Sequence, residues 1–300
     1  MSSHQTAKTR YVTSGKGIKF AYRRLGAAQG TTLLLLTHFR GVMDTWDPIL
    51  INALASCRSL ILHDPPGVGL SSGETATTVR QAADDVLEFL HLIDQQEIDV
   101  LGFSLGGFVA QLVALNADPA VLKVRKLVLA GTGPSAGPET SRTPNEDVGT
   151  HAGAKDVKSE TFEALFFPRT REGKTASEDF WDRIHERSLS TSGEERATFV
   201  SDSFLDGGKG LQAQGAQTGS WSNPETTKGL DGSYDRLEEL RIPILVANGH
   251  DDYMVPTANS FVIQQKVPNG QFIIHPRSGH GFLFQFAAQF ARDVVGFLEA

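Results

Sequence analysis

Short apolar runs alternate with helical patterns through the first half of this chain, stop, and resume near its end. Candidate strands are Ile18–Arg24, Thr32–Leu36, Ser59–Leu62, Asp99–Gly102 and Lys126–Leu129, and later Pro243–Asn248 and Gln271–His275. Between Leu62 and Asp99, the residues Val79, Ala82, Val86, Phe89, Leu90 and Ile93 recur at helical spacing, with Thr78 and Gln81 placed to form a capping box. Parallel neighbours need a crossover, and crossover helices cover the faces of the sheet they connect. The pattern therefore predicts an α/β fold with a mostly parallel central sheet flanked by helices.

The interruption runs from Pro134 to Arg236 and divides the chain into core residues 1–133, an insertion over 134–236, and core residues 237–300. Gly, Ser, Thr and charged residues dominate the insertion, and those stretches alone read as flexible. Its apolar anchors Phe162, Leu165, Phe166, Phe167, Phe180, Trp181 and Ile184 instead predict helices that need a surface to pack on. The reading adopted is a helical cap over a pocket, with a flexible insertion as the alternative. The chain closes on a predicted helix in which Leu283, Phe286, Phe290, Val294 and Phe297 share one face.

Composition narrows the function classes. A formal net charge of −7 argues against a broad positive field, so neither nucleic acid nor an anionic membrane is an expected partner. Cys57, the single cysteine, excludes an internal disulfide and any multi-cysteine metal cluster. The start MSSHQTAKTR carries no apolar leader, and the run Leu33–Leu36 is far too short to span a bilayer. A cytoplasmic protein acting on a small-molecule substrate is expected, with its oligomeric state left open.

The chemistry centres on Leu101-Gly102-Phe103-Ser104-Leu105-Gly106-Gly107, which follows an apolar strand and precedes the helical run Phe108–Leu115. A serine on a sharp strand-to-helix turn presents its hydroxyl beside the helix N-terminus, where backbone N–H groups favour developing negative charge. Its base is expected to be His280, between Gly279 and Gly281 after the last strand. An imidazole in turn needs a carboxylate to hold its tautomer, and Asp251 and Asp252 both follow the strand Pro243–Asn248. Two backbone donors must then receive an oxyanion. Leu105, next to the serine, and Phe39, in the loop Thr37-His38-Phe39-Arg40-Gly41, are assigned that role.

Together these segments resemble the α/β-hydrolase superfamily, in the cap-bearing branch that includes esterases, lactonases, carbon–carbon bond hydrolases and cofactor-free haloperoxidase-like perhydrolases. The resemblance covers nearly the whole chain. Its marks are the loop at Phe39, Asp64-Pro65-Pro66-Gly67-Val68-Gly69-Leu70-Ser71, the turn at Ser104, Gly249-x-x-Asp252-x-x-Val255-Pro256, and Gly279-His280. The resemblance implies an α/β-hydrolase fold with an inserted helical cap, and its register selects Asp252 over Asp251. It further implies a Ser104–His280–Asp252 triad that cleaves an ester, lactone or related carbonyl compound with neither metal nor organic cofactor.

This chain departs from the family's pattern in having Thr37-His38 where His-Gly is usual, and Pro66 where an arginine is common. Pocket walls are expected from the cap, through Phe166, Phe167 and Trp181, and from the core loops, through His38, Asp44, Trp46 and Met254. Perhydrolase or carbon–carbon bond hydrolysis is the alternative activity. A ligand receptor that keeps the triad but turns over slowly is the alternative of another class.

Overall fold

The computed structural model of the protein describes residues 2–143 and 147–300, so 144–146 of the insertion lie outside the described residues. Among the described residues the strands are β1 (Arg10–Thr13), β2 (Lys19–Gly26), β3 (Leu33–Leu36), β4 (Ser59–Asp64), β5 (Glu97–Phe103), β6 (Lys123–Ala130), β7 (Ile244–Gly249) and β8 (Gly270–His275). They form one sheet in the order β1-β2-β4-β3-β5-β6-β7-β8. β2 pairs antiparallel with both β1 and β4, and every later pairing is parallel. β1 has no counterpart among the predicted strands. It is short, mostly exposed and at the sheet edge, so its sequence carries little apolar pattern.

Helices α1 (Pro48–Cys57), α2 (Val79–Leu92) and α3 (Leu105–Asn116) connect the first strands. The two-residue period of the strands sorts their side chains between two apolar layers. Leu101 and Phe103 of β5, Val128 and Ala130 of β6, and Leu245 and Ala247 of β7 join the layer that contains α1 residues. Val100, Leu127, Leu129, Ile244 and Val246 join the layer built on α2 and α3. At the start of α2, Thr78 Oγ1 accepts the Gln81 amide at 3.1 Å, as the expected cap requires. The return bond differs, because Gln81 Oε1 accepts from Thr77 N rather than Thr78 N.

Between β6 and β7 lie α4 (Asp147–Ala152), α5 (Ser159–Phe166), α6 (Arg171–Ile184), α7 (Leu189–Ser192) and α8 (Lys209–Trp221). Phe162, Leu165, Phe166, Phe167, Phe180 and Ile184 are all buried, in one cluster with Phe103, Phe282 and Phe284 of the core. Burying each such side chain is worth roughly 1.5–3 kcal/mol, so the insertion is held by its aromatic face.

Polar ties add to this. Arg183 reaches Asp47 at 2.7 Å, and Arg187 reaches Asp44 at 3.2 Å. Asp44 also pairs with the buried Arg23 and accepts the Ala197 amide at 2.8 Å. Burial works to raise the Asp44 carboxyl, but the Arg23 guanidinium, the Ala197 amide and His4 together outweigh it and the net shift is downward.

After β7 come α9 (Thr257–Lys266), α10 (Phe282–Gln285) and α11 (Ala287–Glu299). The single closing helix expected from the sequence is thus divided at Phe286, whose backbone leaves the helical region. Leu283, Phe290, Val294 and Phe297 are buried as the helical spacing predicts, whereas Phe286 is only half-buried. Among the described residues, no helix is long and apolar enough to cross a membrane.

Candidate active site

Ser104 sits at the junction of β5 and α3 with φ +57° and ψ −120°, a conformation that a residue with a Cβ rarely adopts. Close packing of the turn enforces it. A Cβ on Gly102 would lie 2.4 Å from the Gly106 carbonyl oxygen, and one on Gly106 would lie 2.1 Å from that of Leu36. Glycine at both positions therefore lets α3 start directly against β3 and β5. The Ser104 amide donates to Ala130 O at 2.9 Å, while Ser104 O accepts from Gly107 N and Thr132 Oγ1. The serine is thus clamped by its backbone on both sides.

His280 occupies the loop between β8 and α10 and is fully buried. Its Nδ1 lies 2.7 Å from Asp252 Oδ2. Asp252 Oδ1 accepts the Met254 and Val255 amides at 2.8 and 2.9 Å, which fixes the carboxylate plane. Asp251 instead pairs with His250 at 2.9 Å, and both of those side chains are exposed. A carboxylate is an acceptor, so the Nδ1 of His280 carries a proton, which in the neutral ring leaves Nε2 as a lone pair. That Nε2 is buried and without a hydrogen-bond partner. The imidazole is flanked by Phe103 at 4.9 Å and Phe166 at 5.2 Å between ring centroids.

The loop after β3 brings His38 against Phe103 and Phe166, the two rings that flank His280. Neither Phe39 N nor Leu105 N donates to an acceptor among the described residues, and Leu105 opens α3, where helical partners are lacking in any case. Arg40 has φ +60° and anchors this loop to the insertion. Its guanidinium donates to Val200 O, Ala154 O and Ser201 O at 2.8, 2.6 and 3.1 Å, and Gln214 Oε1 accepts its backbone amide. The guanidinium is thereby engaged by backbone carbonyls. Asp64 ties the neighbouring glycine-rich turn to the same region, accepting Met43 N at 2.7 Å and Leu70 N at 3.0 Å.

A cavity of about 30 Å³ lies under the insertion, with His38, Phe39, Phe162, Phe166, Phe199 and Met254 in its walls. Of the residues expected to contact substrate, His38, Phe166 and Met254 line this space. Phe167 and Trp181 do not: Phe167 is fully buried beside Phe180, and Trp181 packs on Phe162, Phe199 and His185. Asp44 and Trp46 are buried in the core rather than in the cavity wall. Phe162 and Phe199 were not singled out for this role by the sequence. Phe162 stands one helical turn before Phe166, which was the available signal, whereas Phe199 lies in a segment without periodicity. Among the described residues no group of His, Cys, Asp and Glu converges as a metal site would require.

The family model for the alpha/beta hydrolase fold matches residues 31–287. The chain is 24% identical to 2-hydroxy-6-oxononadienedioate/2-hydroxy-6-oxononatrienedioate hydrolase of Paraburkholderia phymatum, over 98% of this chain and 96% of that one. It is 26% identical to pimeloyl-(acyl-carrier protein) methyl ester esterase of Pectobacterium atrosepticum, over 90% and 96% of the two chains. Among solved structures, an alpha/beta hydrolase fold protein from Chitinophaga pinensis superimposes with a TM-score of 0.85 at 28% identity, over 100% of both chains.

Proposed function

The chain belongs to the alpha/beta hydrolase fold family, and from that premise we propose that it is a serine hydrolase acting on carboxylic esters or lactones through an acyl-enzyme. The observation that carries this reading is the His280–Asp252 pair at 2.7 Å, with Nε2 of the same imidazole buried and unpartnered. Such a nitrogen is a base awaiting a proton, and the strained Ser104 is the hydroxyl assigned to it.

In this mechanism Ser104 Oγ attacks the ester carbonyl carbon as its proton passes to His280 Nε2. The carbonyl π pair moves to oxygen and is held by the Phe39 and Leu105 amides, each worth about 3 kcal/mol of barrier in sites of this kind. Collapse of the tetrahedral adduct re-forms the carbonyl and expels the alcohol, which takes the proton from His280. Water then loses a proton to His280 and attacks the acyl group. The carboxylic acid leaves, and Ser104 recovers its proton.

A p-nitrophenyl ester should release a burst of p-nitrophenol stoichiometric with enzyme, and rapid quenching should leave an acyl mass on the peptide containing Ser104. Tight binding without a burst or an adduct would instead favour a receptor. The carbon–carbon bond alternative draws support from the Paraburkholderia relative. It predicts that vinylogous diketones outpace every ester in the same assay.

The insertion is proposed as a specificity cap in which Phe166 and Phe167 take different roles. Phe166 lies 5.1 Å from His38 and 5.2 Å from His280 between ring centroids, at the cavity wall. Phe166→Ala should reorder kcat/KM across esters of different acyl size. Phe167 is fully buried away from the cavity. Phe167→Ala should leave the ranking alone and cost about 3–5 kcal/mol of stability, read by urea unfolding. An unchanged ranking in a folded Phe166→Ala variant would remove the cap from specificity.

A further inference from the structure

His38 stands where the family usually has glycine, and its side chain is surrounded by rings rather than by solvent. It is 3% exposed and packs edge-on against Phe103, Phe162, Phe166 and Phe284 at centroid distances of 5.1 to 6.3 Å. Nδ1 lies 2.9 Å from the carbonyl oxygen of Phe39. A carbonyl only accepts, so Nδ1 must be the protonated nitrogen. Burial lowers the imidazole to about 4, the Phe39 carbonyl opposing and the nearby His280 reinforcing that shift, so the ring is neutral near pH 7. Nε2 is then a lone pair, and it is buried with no partner.

The same side chain lines the cavity under the cap and a second cavity of about 50 Å³ that reaches Leu105 and Gly106. A buried acceptor that meets no donor is costly, and in an apolar nest of phenylalanines the cost is not shared with water. The ring stands against Phe103 and Phe166, which also flank His280, and its Nδ1 is held to the carbonyl of Phe39, one of the two residues whose amides are assigned to the oxyanion. A substrate group that satisfies Nε2 must carry an O–H or N–H.

We infer that His38 is a specificity-determining residue whose Nε2 accepts a hydrogen bond from a donor on the substrate's acyl part, so that 2-hydroxyacyl esters are preferred over their alkyl counterparts. This rests on the serine-hydrolase reading above. A site built to receive a hydroxyl discriminates against the analogue that lacks it, because the buried acceptor is then left unpaired. An ester bearing only hydrocarbon leaves that acceptor unpaired.

The test compares 1-naphthyl 2-hydroxybutanoate with 1-naphthyl butanoate, with rates expressed per fluorophosphonate-titrated active site. Comparing the ratio of the two kcat/KM values between wild type and variant cancels the intrinsic reactivity of the esters. The ratio should fall roughly tenfold or more in His38→Phe, which keeps the ring and removes the acceptor. His38→Gln, which restores an acceptor oxygen, should recover part of the preference. An equal ratio in wild type and His38→Phe would overturn the inference and leave His38 a packing residue or a water ligand.

Absence of titratable sites in wild type would instead defeat the serine-hydrolase reading, so the two failures are distinguishable. Should the variants not fold, nitrogen-15 spectra of wild type inhibited with a 1-hydroxyalkyl or an alkyl phosphonate carry the same decision. The Nε2 resonance of His38 should respond to the hydroxyl alone, and identical spectra would overturn the assignment.

Discussion

Ser104→Ala is expected to abolish fluorophosphonate labelling and to lower ester turnover by about 10⁶. The substitution removes one oxygen from a residue whose conformation is set by its surroundings. The Ser104 amide bonds Ala130, its carbonyl receives Gly107 N and Thr132 Oγ1, and Gly102 and Gly106 admit the neighbouring backbone. None of those contacts uses the hydroxyl, so alanine should occupy the same strained φ and leave thermal stability nearly unchanged. What remains under the proposed mechanism is the pair of amides assigned to the oxyanion, at Phe39 and Leu105, which would still polarise a carbonyl. A residual rate of roughly 10³–10⁴ over the uncatalysed reaction is therefore the expected floor, not zero. Labelling of the alanine variant at the wild-type rate would remove Ser104 from the mechanism.

The scaffold was legible because a buried parallel sheet leaves a strong apolar signal. Leu33–Leu36 reads as a strand from four leucines and lies fully buried at β3. β1 was not legible, since an exposed edge strand of Arg10–Thr13 has no apolar face to announce it and is defined by its pairing with β2. Asp251 and Asp252 follow the same strand and were not separable from the residues alone; the choice of Asp252 came from the register that the family resemblance implies, and Asp252 Oδ2 lies 2.7 Å from His280 Nδ1.

The insertion was harder for a physical reason. Its aromatic residues announce helices, but which of them meets the cavity depends on helix rotation and on the surface beneath. Phe166 and Phe167 are adjacent in sequence, yet Phe166 faces His280 and Phe167 faces Phe180. Arg40 was invisible in another way. Its partners are carbonyl oxygens in segments remote in sequence, and carbonyls carry no sequence signature.

The two adjacent acids give the sharpest remaining test, because Asp252→Asn should cost about 10⁴ in turnover while Asp251→Asn costs little. The geometry dictates why an isosteric amide fails. Asp252 Oδ1 receives two backbone N–H groups, from Met254 and Val255. An asparagine must keep its carbonyl oxygen at that end, since an NH₂ there would face two donors. Its NH₂ is then directed at His280 Nδ1, which can meet it only as an acceptor. The imidazole proton moves to Nε2, and a protonated Nε2 cannot take the Ser104 proton.

The enzyme would remain folded and hold its substrate, so the loss should appear in kcat more than in KM. Asp251 contacts His250 at an exposed site, and its amide donates to Ser278 O at 2.9 Å without using the side chain. Asparagine at 251 should therefore leave the His280 tautomer alone. Steady-state rates for both variants, with unfolding curves to establish that each is native, decide the matter. A greater loss in Asp251→Asn than in Asp252→Asn would show that the 2.7 Å contact to His280 is not the one that sets its tautomer.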